Sequence, residues 1–215
     1  MALPLLLLTL GCEPVNELDG TVDGADVTIA SAWWVRYVSA DGTEHPQYRL
    51  SLSSMDDGCG ALIGYLADKG ALDARYDAEE LTAEDYVAEA EELFAQYLPT
   101  DLWQVVVEFL VQEGEFTELR LDGADWDRYP QTNEAAANFV HQEGLRYSGA
   151  DMTTRYISHQ GQAELTYDEA RGTFEGDFLT SVADYSTGQI FEEVTILYEV
   201  EVCEGLDWDD AAVWW

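Results

Sequence analysis

Two periodicities organise the chain. Apolar residues recur at alternate positions from Val27 to Tyr37 (Val27, Ile29, Trp33, Val35, Tyr37), with Ser31 filling the gap. That spacing predicts a strand with one buried face. "SADG" offers a turn at Asp41-Gly42, and "YRLSLSS" returns with Tyr48, Leu50 and Leu52 in alternation, so the two runs read as a hairpin. The period then changes. Tyr86, Val87, Ala90, Leu93, Phe94, Tyr97 and Leu98 form a stripe at helical spacing, opposite a face of Glu84, Asp85, Glu89, Glu91 and Glu92. Thr82 is placed to cap this helix, Leu81 and Tyr86 to staple its entry, and Pro99 to stop it. The acids are those of a solvated face.

Strand texture resumes at "LWQVVVEFLVQ", with "TELRLDG" as a neighbour. "TNEAAANFVHQEG" predicts a short helix, capped by Thr132 or Asn133 and ended by Gly144. The last third predicts a meander: "QAELTY", the turn "DEARG", "TFEGDFLTSV", the turn "DYSTG", then "FEEVTILYEVEVC" with Val194, Ile196, Tyr198, Val200 and Val202 on one side. No internal repeat or low-complexity tract interrupts this order. The fold class expected is mainly β, an antiparallel sandwich or small barrel with a helical insertion at about residues 80–98.

Charge narrows the partners. The 215 residues carry 44 Asp+Glu against nine Lys+Arg, a formal charge of −35, and Lys69 is the sole lysine. Such a surface repels polyphosphate and anionic head groups, so nucleic acid is excluded and anionic lipid is disfavoured. Repulsion that keeps the chain soluble accounts for the acidity, and screening in a salty habitat would make it tolerable. Calcium is the sharper reading of the same acids. The nearest approaches to a loop site are Asp122, Asp125 and Asp127 in "LDGADWDRYP" and Asp207, Asp209 and Asp210 in "LDWDDAA", neither with the spacing of an EF-hand.

Catalytic signatures do not emerge. GxSxG, HExxH, a phosphate loop and a dinucleotide fingerprint are all missing, and His45, His141 and His159 are scattered. No catalytic residue is assigned. Glu108, central in the apolar "VVVEFLV", is the acid to watch, because a carboxyl drawn into a core has a raised pKa; the plainer reading places it on the polar side of its strand. Two carboxylates at the separation needed for polysaccharide hydrolysis are an alternative that only a fold can test. Trp33, Trp34, Trp103, Trp126 and the terminal "DWDDAAVWW" are either core and cover or the lining of a glycan or peptide groove.

The cysteines carry the compartment. There are three, Cys12, Cys59 and Cys203. Ala2 to Leu10 is an apolar run too short to span a bilayer, and Gly11-Cys12 ends it before acidic chain begins. This opening resembles a bacterial lipoprotein signal peptide, although Thr9 stands where that class has a leucine and no basic residue precedes the run. The resemblance implies removal of residues 1–11 and diacylation of Cys12. Residues 12–20 would then be a short tether and 21–215 one β-rich domain, anchored in the cell envelope by lipid on Cys12. Two thiols then remain in an oxidising compartment, where Cys59 and Cys203 can pair as a staple between strand ends. The reading is a lipid-anchored binding or structural module, enzyme activity being the less favoured option. Its alternatives are an acidic-residue polysaccharide hydrolase and a calcium-stabilised adhesion module.

Overall fold

A computed structural model describes residues 16–38, 44–110, 118–123, 134–168, 171 and 173–206. It contains eleven strands and two helices: β1 (Glu17–Asp19), β2 (Thr21–Val22), β3 (Ala25–Asp26), β4 (Ser31–Val38), β5 (Glu44–Ser53), α1 (Gly58–Asp77), α2 (Ala83–Tyr97), β6 (Asp101–Leu110), β7 (Glu118–Gly123), β8 (Glu134–Glu143), β9 (Met152–Asp168), β10 (Thr173–Asp184) and β11 (Ile190–Glu201). Nine of the strands form one sheet in the order β1-β11-β10-β9-β7-β8-β6-β5-β4, and β2 pairs with β3. The pairings are antiparallel except β7 with β8. The sheet curls into a half-barrel, consistent with the barrel alternative expected from the pattern. The edge strand β4 meets the chain just past β11 at a bridge between Trp34 and Val202, where the Cys203 amide donates to the Trp34 carbonyl.

Two cores follow from strand alternation. Inside the curl lie Leu50, Leu52, Val105, Val107, Phe109, Phe139, Leu165, Phe178, Ile196 and Tyr198. Each large apolar side chain so buried is worth roughly 1.5–3 kcal/mol. On the outside, the helices cover Trp33, Val35 and Leu102 with Leu62, Tyr65, Phe94 and Leu98. The alternating set in the first strand is therefore split. Val27 and Ile29 pack with the interior core and Trp33 and Val35 with the helices, while Trp34 points inward. Both faces of β4 are buried at that point. At the C-terminus the expected row holds for Val194, Ile196, Tyr198 and Val200, whereas Val202, past the end of β11, is 39% exposed.

Four expectations are corrected. The segment expected as a short helix is β8, paired with β6 over ten residues and with β9 over six. Alanine favours helices, but here Ala135, Ala136 and Ala137 are all fully buried, and cross-strand packing overrides propensity. The helical layer also begins earlier than expected: α1 precedes α2, its four glycines and weak stripe hiding it in the sequence. Two of those glycines are packing positions. A Cβ on Gly58 would stand 2.1 Å from the Trp33 ring, and one on Gly64 2.5 Å from Tyr97. Asp57 caps the helix through the Gly60 amide. The third correction concerns the tether. Glu17–Asp19 is strand β1, docked on β11 from Leu197 to Thr195, because Leu18 fills the interior core. The fourth concerns the staple: Cys59 lies in the first turn of α1, so the bridge joins a helix to the sheet rather than two strand ends.

The strands define two rims. At one, here rim A, β6 begins, β8 ends, β9 begins and β10 turns into β11. The β2–β3 hairpin plugs this rim, with Val22 fully buried. Asp23 and Gly24 take positive φ (53° and 76°), the geometry of a two-residue Asp-Gly turn. The opposite rim B collects the start of β10, the end of β11 and the ends of β6 and β9. Long β9 serves β8 near rim A and β7 near rim B, and bends between them at Gln160 and Gly161. Only glycine fits there, since a Cβ on Gly161 would lie 2.1 Å from the Leu179 carbonyl oxygen.

Candidate functional site

Cys59 and Cys203 form a disulfide with a Cα separation of 5.8 Å across 144 residues of sequence. Cys203 is 2% exposed and packs in the outer core. Cys12 lies outside the described residues, as do Asp125, Asp127, Trp126 and the terminal tryptophans. Asp122 is in β7, opposite Gln162 of β9. Among the described residues no group of three His, Cys, Asp or Glu is arranged to hold a metal ion.

Glu108 is on the outward side of β6, as the plainer reading had it, yet it is buried. Arg49, directly opposite on β5, donates from Nη2 at 2.6 Å and from Nε at 3.2 Å to its Oε1. The pair heads a buried polar band with Ser51, Gln104 and Asn138. A carboxylate so tightly paired is positioned for structure rather than proton transfer.

A second pair of acids bears on the hydrolase reading. Glu164 of β9 and Asp177 of β10 stand directly opposite each other, outward of Ala163, Leu165 and Phe178. Burial, and then the neighbouring Glu164 charge, raise the Asp177 pKa. A raised folded pKa means that the folded state holds its proton more tightly than the unfolded one. The penalty is thus absent at low pH and complete above the folded value. Asp177→Asn is therefore expected to raise the melting temperature at pH 7, by about 0.2–1 kcal/mol of stability for relieving a cross-strand like-charge pair. The half-exposed side chain puts it at the low end. Thermal melts at neutral pH and at about pH 3, below ordinary carboxyl values, check this. A gain of equal size at both would remove the argument.

The aromatic residues concentrate at the two rims. At rim A, Trp103 stacks on His141 at 4.5 Å with 4° between planes, and on Tyr156 at 6.4 Å. His141 Nε2 lies 3.0 Å from Asp101, and Tyr156 donates to Asp23 of the plug at 3.1 Å. Burial first, and then that hydrogen bond, push the Tyr156 phenol up to about 12. At rim B, Trp34, Phe174, Tyr48 and Tyr167 meet edge-on or tilted, with centroids 4.5 to 6.3 Å apart. Trp34, Tyr48 and Phe174 line, with Phe109 and Tyr198, an apolar cavity of about 10 Å³. That is room for one water at most, and the walls do not invite it. Trp34 Nε1 has no hydrogen-bond partner among the described residues. Neither Trp33 nor Trp34 lines an open groove: they are 2% and 8% exposed.

One cluster had no signal strong enough to find. Lys69 on α1 donates to Asp73 at 2.6 Å and to the Tyr86 hydroxyl at 2.7 Å, and sits 5.2 Å from the Tyr86 ring centroid and 5.8 Å from that of Tyr147. Burial works to lower its pKa, and the bonds to Asp73 and Tyr86 outweigh it, so the amine is held above its usual range. The Lys69 bond acts to lower Tyr86, but bonds to Tyr147 and Asp73 dominate and push it up to about 12. A charged amine and a protonated phenol are the wrong forms for a nucleophile and a base. The cluster clasps α1, α2 and the loop after β8. An acid i+4 from the chain's sole lysine was the one local cue.

Open grooves lie beside the helices. One, of about 530 Å³, is lined by Asp68, Leu72, Arg75, Glu89, Leu93 and Gln96; another, of about 550 Å³, by Met55, Asp56, Asp57, Gln96 and Tyr97. Arg75 is tied to Glu89 across the first. Among the described residues no helix is long and apolar enough to cross a membrane. No family model, curated protein or solved structure matches the chain.

Proposed function

We propose that the chain is a lipid-anchored envelope protein whose half-barrel acts as a binding or structural module. One observation carries this reading. The Cys59–Cys203 bond accounts for two of the three cysteines and leaves Cys12, at the end of the apolar opening run, as the odd one. A disulfide that persists suits an exported domain, and a single leftover cysteine at a signal-peptide boundary suits acylation. The buried Arg49–Glu108 pair and the charged Lys69 support a module over an enzyme, because the charges in these two clusters are neutralised by their own neighbours.

Metabolic labelling with palmitate tests the anchor. Label is expected in the wild-type chain and absent from Cys12→Ala, with both variants melting at the same temperature. Equal labelling of the two removes the proposal.

A further inference from the structure

We infer that the half-barrel stands end-on to the bilayer, with rim B against the lipid surface; the inference rests on lipidation of Cys12. The direction of β1 sets the geometry. It runs antiparallel to β11, from Glu17 opposite Leu197 to Asp19 opposite Thr195, and so enters from rim B and travels toward rim A. Asn16 fixes the entry point, its Oδ1 accepting from the Glu199 amide, two residues before β11 ends. Asn16 therefore stands on the rim B side of the body, and Cys12 is joined to it from there. From Asn16 to Cys12 there are four steps of backbone, and at about 3.3–3.6 Å per residue no conformation of them reaches beyond roughly 14 Å.

That leash is shorter than the body it holds. β11 has twelve residues, and strands of this length in a tilted barrel place the two rims on the order of 30 Å apart. Rim A and its plug are consequently held away from the membrane, and rim B is the only end within reach. The flanks reinforce this posture. Glu164, Glu175, Asp177, Glu193 and Glu199 lie along the outer side of β9, β10 and β11, in a chain of net charge −35. Acidic flanks disfavour laying the barrel down on anionic lipid. Rim A, with its Trp103–His141 stack, is left to face soluble partners.

Site-specific quenching tests the posture. Arg171→Cys marks the β9–β10 turn at rim B, and Thr187→Cys marks the β10–β11 turn at rim A, both at exposed positions. With Cys12 acylated and the other two joined, the introduced thiol is the one a maleimide dye finds. Chains purified from membranes are reconstituted in phosphatidylcholine vesicles carrying a nitroxide on the head group. The dye at 171 is expected to lose at least half its emission, and the dye at 187 to be unchanged. Equal quenching, or stronger quenching at 187, in a chain that floats with the vesicles overturns the orientation alone. A chain that neither floats nor shows acyl mass overturns the anchor and the orientation together.

Discussion

Opening the Cys59–Cys203 bond, by Cys203→Ser or by reductant, is expected to lower the melting temperature by about 10–20 °C. The bond closes 144 residues of sequence, from the first turn of α1 to just past the end of β11. In the chain-entropy description, a loop of that length restricts the unfolded ensemble enough to stabilise the fold by about 5 kcal/mol. For a chain of this size each kcal/mol moves the midpoint by roughly 2–4 °C. That is a large share of the 5–15 kcal/mol typical of a folded domain. The native side adds a specific loss. Cys203 is buried among Leu62, Trp33 and Leu206, and its amide donates to Trp34 at the seam where the curled sheet meets itself. Without the bond, α1 is held to the sheet by the packing of Leu62 and Tyr65 with Trp33 and Leu102 and by Trp33 against Gly58. Hydrogen exchange should therefore rise first along α1. The comparison is best made on a Cys12→Ala background, so that no third thiol pairs wrongly. A midpoint that moves by less than about 2 °C, the shift of about 1 kcal/mol or less, would show that the bridge constrains little.

Elements with one wet face were legible in the sequence, and elements buried on two sides were not. The α2 stripe and the β11 alternation each set an apolar row against acids, so the period stood out; Ala90 and Phe94 are buried just where the stripe put them, although Val87 on the same stripe is 48% exposed. β8 is buried on both faces, and the small residues that allow this also favour helices, so its composition pointed the wrong way. In α1, glycines at Gly58 and Gly64 make room for Trp33 and Tyr97, and the same residues erase the helical signal. Adjacent Trp33 and Trp34 serve different cores, which no single alternating face could express. The disulfide partners were legible by count, but not the element that carries Cys59. The Lys69 clasp was out of reach because Tyr86 and Tyr147 lie 17 and 78 residues away and only the helix hairpin unites them.

The Arg49–Glu108 pair separates two accounts of a buried charge, and substitutions tell them apart. Arg49→Met is expected to destabilise the fold by about 3–5 kcal/mol, because Glu108, 8% exposed, would stay buried without the two bonds that Arg49 donates to its Oε1. Glu108→Met should cost a comparable amount, because both bonds that Arg49 donates here lose their acceptor in a buried site. The double substitution is expected to recover most of that loss and to fall within about 1–2 kcal/mol of the wild type, since apolar side chains of similar volume replace both charges. The surroundings sharpen this. Ser51 Oγ, Gln104 Nε2 and Asn138 Oδ1 are buried with no hydrogen-bond partner among the described residues. The band therefore already carries desolvation cost, and a lone charge beside it would find little help. Urea denaturation of the four chains gives the coupling energy directly, expected at about 4 kcal/mol or more in favour of the pair, the two single losses less that of the double. If Arg49→Met costs less than about 1 kcal/mol, as an exposed ion pair would, then Glu108 is solvated in practice. The outer polar band would then be a surface open to water, and the case for reading it as internal structure would go with it.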